Sequence, residues 1–152
     1  MEKKEKTIRQ IITIFWALLG AMIIMFGIAL WFVKDAGPVL EWNLTQRENL
    51  KSIILVLALA GIPASHFFHS RKTRHIDADL PFHEKLILYK NSFFVKIATM
   101  EALAVLGLLG YLVSADTTFL YVFALLFLAF LINRPGRNSI TRELEPEEET
   151  HE

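Results

Sequence analysis

Apolar and polar residues fall along this chain in long blocks rather than at the three-and-four spacing of a half-buried helix. One uncharged run covers Ile11 to Val33 and a second covers Ile53 to Phe68. A third, Ile97 to Ala115, carries Glu101 as its single charge, and a fourth covers Phe119 to Ile132. About 20 residues rising 1.5 Å each cross a hydrocarbon layer roughly 30 Å thick, so blocks of this kind predict membrane spans. The expected spans are 10–33, 50–69, 94–114 and 117–133. The predicted fold is therefore all-α: a multi-pass membrane protein whose four transmembrane helices form a four-helix bundle of two consecutive antiparallel hairpins.

The polar segments between the blocks set the boundaries. Gly37-Pro38 marks a turn, and Thr45-Gln46-Arg47-Glu48 has the spacing of a capping box opening the second helix near Gln46. Pro63 removes a donor and frees the carbonyl of Leu59, which predicts a kink in the second span. Phe82, Leu86, Tyr89 and Phe93 recur at helical spacing opposite His83, Glu84, Lys85 and Lys90. The third helix is therefore expected to start at Pro81 and to extend into the cytoplasm, reaching about 50 Å by Ser114. Asp116 is the expected N-cap of the fourth helix, entered through a tight turn. Asn133-Arg134-Pro135-Gly136 closes a transmembrane domain of residues 1–135. The acidic remainder, 136–152, is expected to be a disordered cytoplasmic tail.

Charge changes the picture chiefly through its distribution. The 152 residues hold 16 Lys and Arg against 16 Asp and Glu, and this neutrality argues against a nucleic-acid partner. Zero cysteines exclude disulfides and thiolate sites. Four basic residues precede the first span, five (Arg71, Lys72, Arg74, Lys85, Lys90) lie between the second and third, and three (Arg134, Arg137, Arg142) follow the fourth. The opposite side has Lys34, Arg47 and Lys51. Twelve against three predicts both termini in the cytoplasm, in a bacterial cytoplasmic membrane, with the lipid bilayer as the first partner. Trp31, Trp42, Tyr111 and Tyr121 then fall at the outer interface, and Phe67, Phe68, Tyr89, Phe93 and Phe94 at the inner one. A signal peptide would end in small residues, whereas Leu30 to Val33 are bulky.

Glu101 is the main candidate for chemistry. A charge near a helix centre costs about 2.5 to 3.5 kcal/mol on insertion scales, so its carboxyl calls for a partner. At its depth the candidates are the Leu59 carbonyl, the indole N–H of Trp16 and His66. Glu101, His66 and Trp16 are thus the expected ion-binding or buried polar set. Lys96 is expected to snorkel to the inner interface. His66 and His69, three apart, share a helix face and are the candidate metal ligands; the plainer reading is two interfacial histidines at a helix C-terminus. No cofactor is implied. Gly20, Gly27, Gly107, Gly110 and the pairs Ala60/Ala64 and Gly61/Ser65 allow close helix approach, within the chain, in a homo-oligomer or in a larger membrane complex. Asn43-Leu44-Thr45 matches a glycosylation sequon. Phosphate-binding, nucleophile-elbow and zincin motifs do not occur, so enzymatic activity has no positive signal.

Two resemblances bear on these residues. Ala98, Glu101, Ala102, Ala104 and Gly107, leading into a second apolar helix, resemble the carboxylate-bearing hairpin of the rotary ATP synthase c subunit over residues 97–132. That resemblance implies a proton or sodium ion on Glu101 in a ring of subunits. Through Leu80-Pro81, Lys85-Leu86, Tyr89, Glu101 and Arg134-Pro135 the whole chain resembles small uncharacterised four-span bacterial membrane proteins, which carry no activity to transfer. The leading expectation is a structural or accessory subunit acting by helix packing. Proton or cation translocation through Glu101 is the first alternative, and a metal-dependent membrane enzyme using His66 and His69 is the second.

Overall fold

The computed structural model describes residues 2–77 and 79–144, with side chains from Lys4 onward, and the apolar blocks become helices. They are α1 (Glu2–Ala36), α2 (Leu44–Arg74), α3 (Phe82–Ser114) and α4 (Thr118–Ile132), followed by a short α5 (Arg137–Leu144). Among the described residues there is no strand. By length and composition α1, α2 and α3 can each cross a membrane. The α4 helix joins them only if it is taken with α5 as one span bent by 72°.

The helix on which the others assemble is α3. α1, α2 and α4 each pack against it, while α1 and α2 scarcely touch. Lys4 lies 3.8 Å over the Phe82 ring and Gln10 receives a 3.4 Å hydrogen bond from Lys90, so α1 runs parallel to α3. Gly61 abuts Leu103, and Gly107 faces the backbone of Phe119 and Phe123, so α2 and α4 run antiparallel to it. The first two helices are thus not the packed hairpin expected from their order. The connection between them lies across the end of α3, where the Val39 and Leu40 N–H groups donate to the Leu112 and Val113 carbonyls. That crossing carries α2 to the far side of α3.

Packing explains which residues face inward. Ile8, Ile11, Phe15, Leu19 and Met22 recur every three or four positions on α1 and are buried. Phe15 stacks on Phe130 at 4.7 Å and Phe26 on Phe123 at 5.0 Å, which ties α1 to α4. Opposite faces stay apolar but exposed, through Ile23, Ile24 and Trp31 on α1, Val56 on α2 and Leu128 on α4. A water-bathed surface rarely carries so large an apolar area, whereas hydrocarbon accommodates it. Of the expected belt, Trp31, Phe67, Phe68, Phe94 and Tyr121 are exposed, but Tyr89, Phe93 and Tyr111 are buried between helices.

The helix ends differ from expectation in small, explicable ways. The capping box of α2 is built by Asn43, whose Oδ1 accepts from the Gln46 N–H at 2.9 Å while Gln46 Oε1 accepts from the Asn43 N–H at 3.2 Å. The helix therefore starts at Leu44, and the asparagine of the sequon has a structural role. The α2 helix continues through Pro63. Thr117 occupies the cap position of α4, yet the capping bond comes from Asp116, whose Oδ1 accepts from the Thr118 N–H at 2.8 Å.

The tail was expected to be disordered from 136 onward, and this is corrected for 137–144. Ile140 and Leu144, four residues apart, bury one face of α5 in the core, with α5 packed on α3. Arg137 reaches Glu5 at 3.4 Å. The acidic segment 145–152 lies outside the described residues.

Candidate functional site

The polar residues of the bundle gather where the last turns of α2 meet α3 and α5. On α2 the inward residues are Ile54, Ala58, Ser65 and His69, one helical face aimed at α3. On α3 the residues Tyr89, Ser92, Phe93 and Lys96 recur at three-and-four spacing and are all buried. His69 is the meeting point. Its Nδ1 lies 2.9 Å from Ser92 Oγ, its Nε2 lies 3.6 Å from Glu143 Oε2, and its ring packs edge-on to Tyr89 at 5.3 Å.

Glu143 is delivered by α5, the segment whose order depends on Ile140 and Leu144. The His69 ring beside it holds the Glu143 carboxyl below the usual carboxylate range; burial opposes this, and Tyr89 and Lys96 add to the lowering. At 3.6 Å the contact is an ion-pair distance rather than a direct hydrogen bond. With its proton on Nε2, the imidazole points that N–H toward the carboxylate and accepts from the Ser92 hydroxyl at Nδ1, so both ring nitrogens face polar groups.

A serine, a histidine and an acid in a row invite comparison with a nucleophilic triad. Ser92, however, is only 5% exposed and sits inside a helix, where neighbouring N–H groups are spent in the helix and leave no donors for an oxyanion. What the row can do is clasp α5 to α2 and α3. Beside it, Gly61, Ala64, Phe68, Lys72, Val95 and Lys96 line a cavity of about 290 Å³ between α2 and α3.

The residues singled out from the sequence are only partly brought together. Gly61 abuts Leu103, so Glu101 is level with this part of α2, yet it is half-buried and makes no hydrogen bond or ion pair among the described residues. It lies one turn beyond Ile97, which lines a small cleft together with Ile11 and Ile14 of α1. Trp16 is turned outward and lies under the Arg134 guanidinium at 5.3 Å, so it is engaged at the end of α4 rather than with Glu101. His66 is exposed while His69 is buried, so the two candidate metal ligands face different surroundings. Among the described residues no group of three His, Asp or Glu is arranged to hold a metal ion.

Sequence reasoning missed Ser92 and Glu143 as partners of His69 and placed Lys96 at the interface, whereas it is buried against the cavity. The spacing of Tyr89, Ser92 and Lys96 was the available signal, a polar stripe on an apolar helix. Compared with known protein families, curated proteins and solved structures, the chain shows no match.

Proposed function

We propose that this chain is a four-span integral membrane protein with both termini cytoplasmic, in a bacterial cytoplasmic membrane, and that it works as a structural or accessory subunit through helix packing. One contrast between glycines carries the reading. A Cβ added at Gly110 would meet the Phe119 ring at 2.6 Å, and one at Gly61 would collide with Leu103, so these glycines serve contacts inside the chain. A Cβ at Gly20 or Gly27 would meet nothing within 4 Å, although both share a face of α1 with exposed Ile23, Ile24 and Trp31. Such a face suits a second copy or another membrane subunit, because small residues let helix backbones approach closely.

Because the chain has no cysteine, single substitutions report cleanly. Ile24→Cys and Gly27→Cys should give covalent products in native membranes on oxidation, and Leu128→Cys on the outer face of α4 should not. Equal crosslinking at all three positions, or none at any, removes the reading.

Translocation of a proton or cation through Glu101 stands as a second reading, favoured by one observation: a half-buried carboxyl inside a candidate span has no partner among the described residues. Flux in liposomes that is lost in Glu101→Gln would establish it, and flux that survives the substitution would end it.

A further inference from the structure

The cavity between α2 and α3 holds a second unassigned feature, the ammonium of Lys96. Lys96 is 7% exposed and lines the cavity, yet it makes no hydrogen bond and no ion pair among the described residues. Among the described residues no buried side-chain nitrogen is without a hydrogen-bond partner, so the Lys96 ammonium, unpaired on a side chain that is otherwise covered, keeps accessible surface. An unpaired charge at a cavity wall points to an anion that is to be received there. Lys72, also on the lining, adds a second positive charge at the exposed end of the same site. The opposing charge is Glu143, already beside His69 and Tyr89 and more than an ion-pair contact away from Lys96.

The walls indicate what the anion is attached to. Apart from the lysines, His69 and three hydroxyl side chains, the lining is Gly61, Ala64, Phe68 and Val95. Phe68 and Val95 are 60% and 54% exposed and so continue the lining onto the outer surface of the bundle. A free phosphate would meet the lysines and leave these apolar walls unused. At about 290 Å³ the space is too small for a whole two-chain lipid, but it can take a headgroup whose chains remain outside.

We infer that this cavity is a binding site for the headgroup of an anionic phospholipid, with Lys96 and Lys72 on its phosphate and one acyl chain lying along Phe68 and Val95. Under the orientation proposed above, the site opens to the inner leaflet. It does not depend on α1 meeting a partner helix.

Native mass spectrometry of the detergent-purified full chain tests this, with phosphatidylglycerol and phosphatidylcholine of identical chains offered in parallel. Phosphatidylglycerol should be retained preferentially. Lys96→Gln should lower that retention about tenfold, as loss of a charged contact does, and Lys34→Gln should leave it unchanged. Ala64→Phe keeps both lysines and fills the space, so it should also abolish the preference and decides the matter if Lys96→Gln does not fold. Equal retention of the two lipids, retention untouched by Ala64→Phe, or displacement of the lipid by millimolar inorganic phosphate overturns the inference. Crosslinking through α1 is read separately, so failure of either leaves the other standing.

Discussion

Lys51 Nζ lies 2.8 Å from Asp116 Oδ2, joining the first turns of α2 to the three-residue turn between α3 and α4. The same end is closed by Arg47, whose guanidinium donates to the Ser114 carbonyl at 2.9 Å. Three helices are thus fastened at the end opposite the His69 cluster.

This pairing has a pH signature. Partial burial raises the Asp116 carboxyl, but the hydrogen bonds from Lys51 and Thr118 outweigh it and hold the pKa at about 2, against an ordinary 3.8. A group whose pKa is depressed on folding adds stability above its unfolded value and loses it as pH falls through the folded one. The thermal midpoint of Asp116→Asn in detergent should lie a few degrees below wild type at pH 7. The gap should hold down to about pH 4 and narrow toward pH 2. A gap independent of acid would show that the Lys51 pairing is not its source.

At the other end, Glu143 is also held below its ordinary value of 4.5, so the clasp on α5 is present above that pH and weakens as pH falls below it. Amides of 137–144 should exchange hydrogen several-fold faster in Glu143→Gln than in wild type at pH 7. Acidification below 4.5 should bring wild type toward the variant. Unchanged exchange in the variant would assign the order of α5 to Ile140 and Leu144 alone.

The glycines give a prediction with opposite signs. Gly110→Ala places a methyl against Phe119 and Ile54 and should destabilise by about 1–3 kcal/mol, as overpacking does. Gly20→Ala meets open space in a helix interior, where alanine is favoured over glycine by about 1 kcal/mol. Unfolding of the monomer in detergent should separate the two, and similar losses for both would contradict the packing described.

Reporter fusions address orientation. Fusions after Gly37 and after Asp116 should read as external and one after Asp77 as cytoplasmic. A cytoplasmic signal at Asp116 would invert the proposed arrangement.

The helical blocks were legible because lipid demands long uninterrupted apolar runs with internally satisfied backbones, and such runs are visible residue by residue. The continuity of α3 from Phe82 through Ser114 was legible for a related reason, since the part before its apolar run keeps an apolar stripe. The α5 helix was not, because Ile140 and Leu144 are two apolar residues in a charged stretch and only the groove they fill makes them a helix face. The partner choice of α1 was hidden too: chain order suggested α2, whereas the backbone bonds from Val39 and Leu40 that route α2 across α3 leave no trace in side-chain pattern. The site suffered most, since His69 and Glu143 are 74 positions apart.

The brevity of α4 has a consequence for the membrane itself. Its 15 residues rise about 22 Å, several ångströms less than a typical hydrocarbon layer, and Asn133 and Arg134 follow at once with polar groups. Under the proposed four-span arrangement, lipids beside this helix must shorten to meet it, while those beside the longer α1 need not, so the bundle would sit in an annulus of uneven depth. A protein of that shape partitions toward thinner bilayers, and its retention in a membrane becomes a function of acyl-chain length.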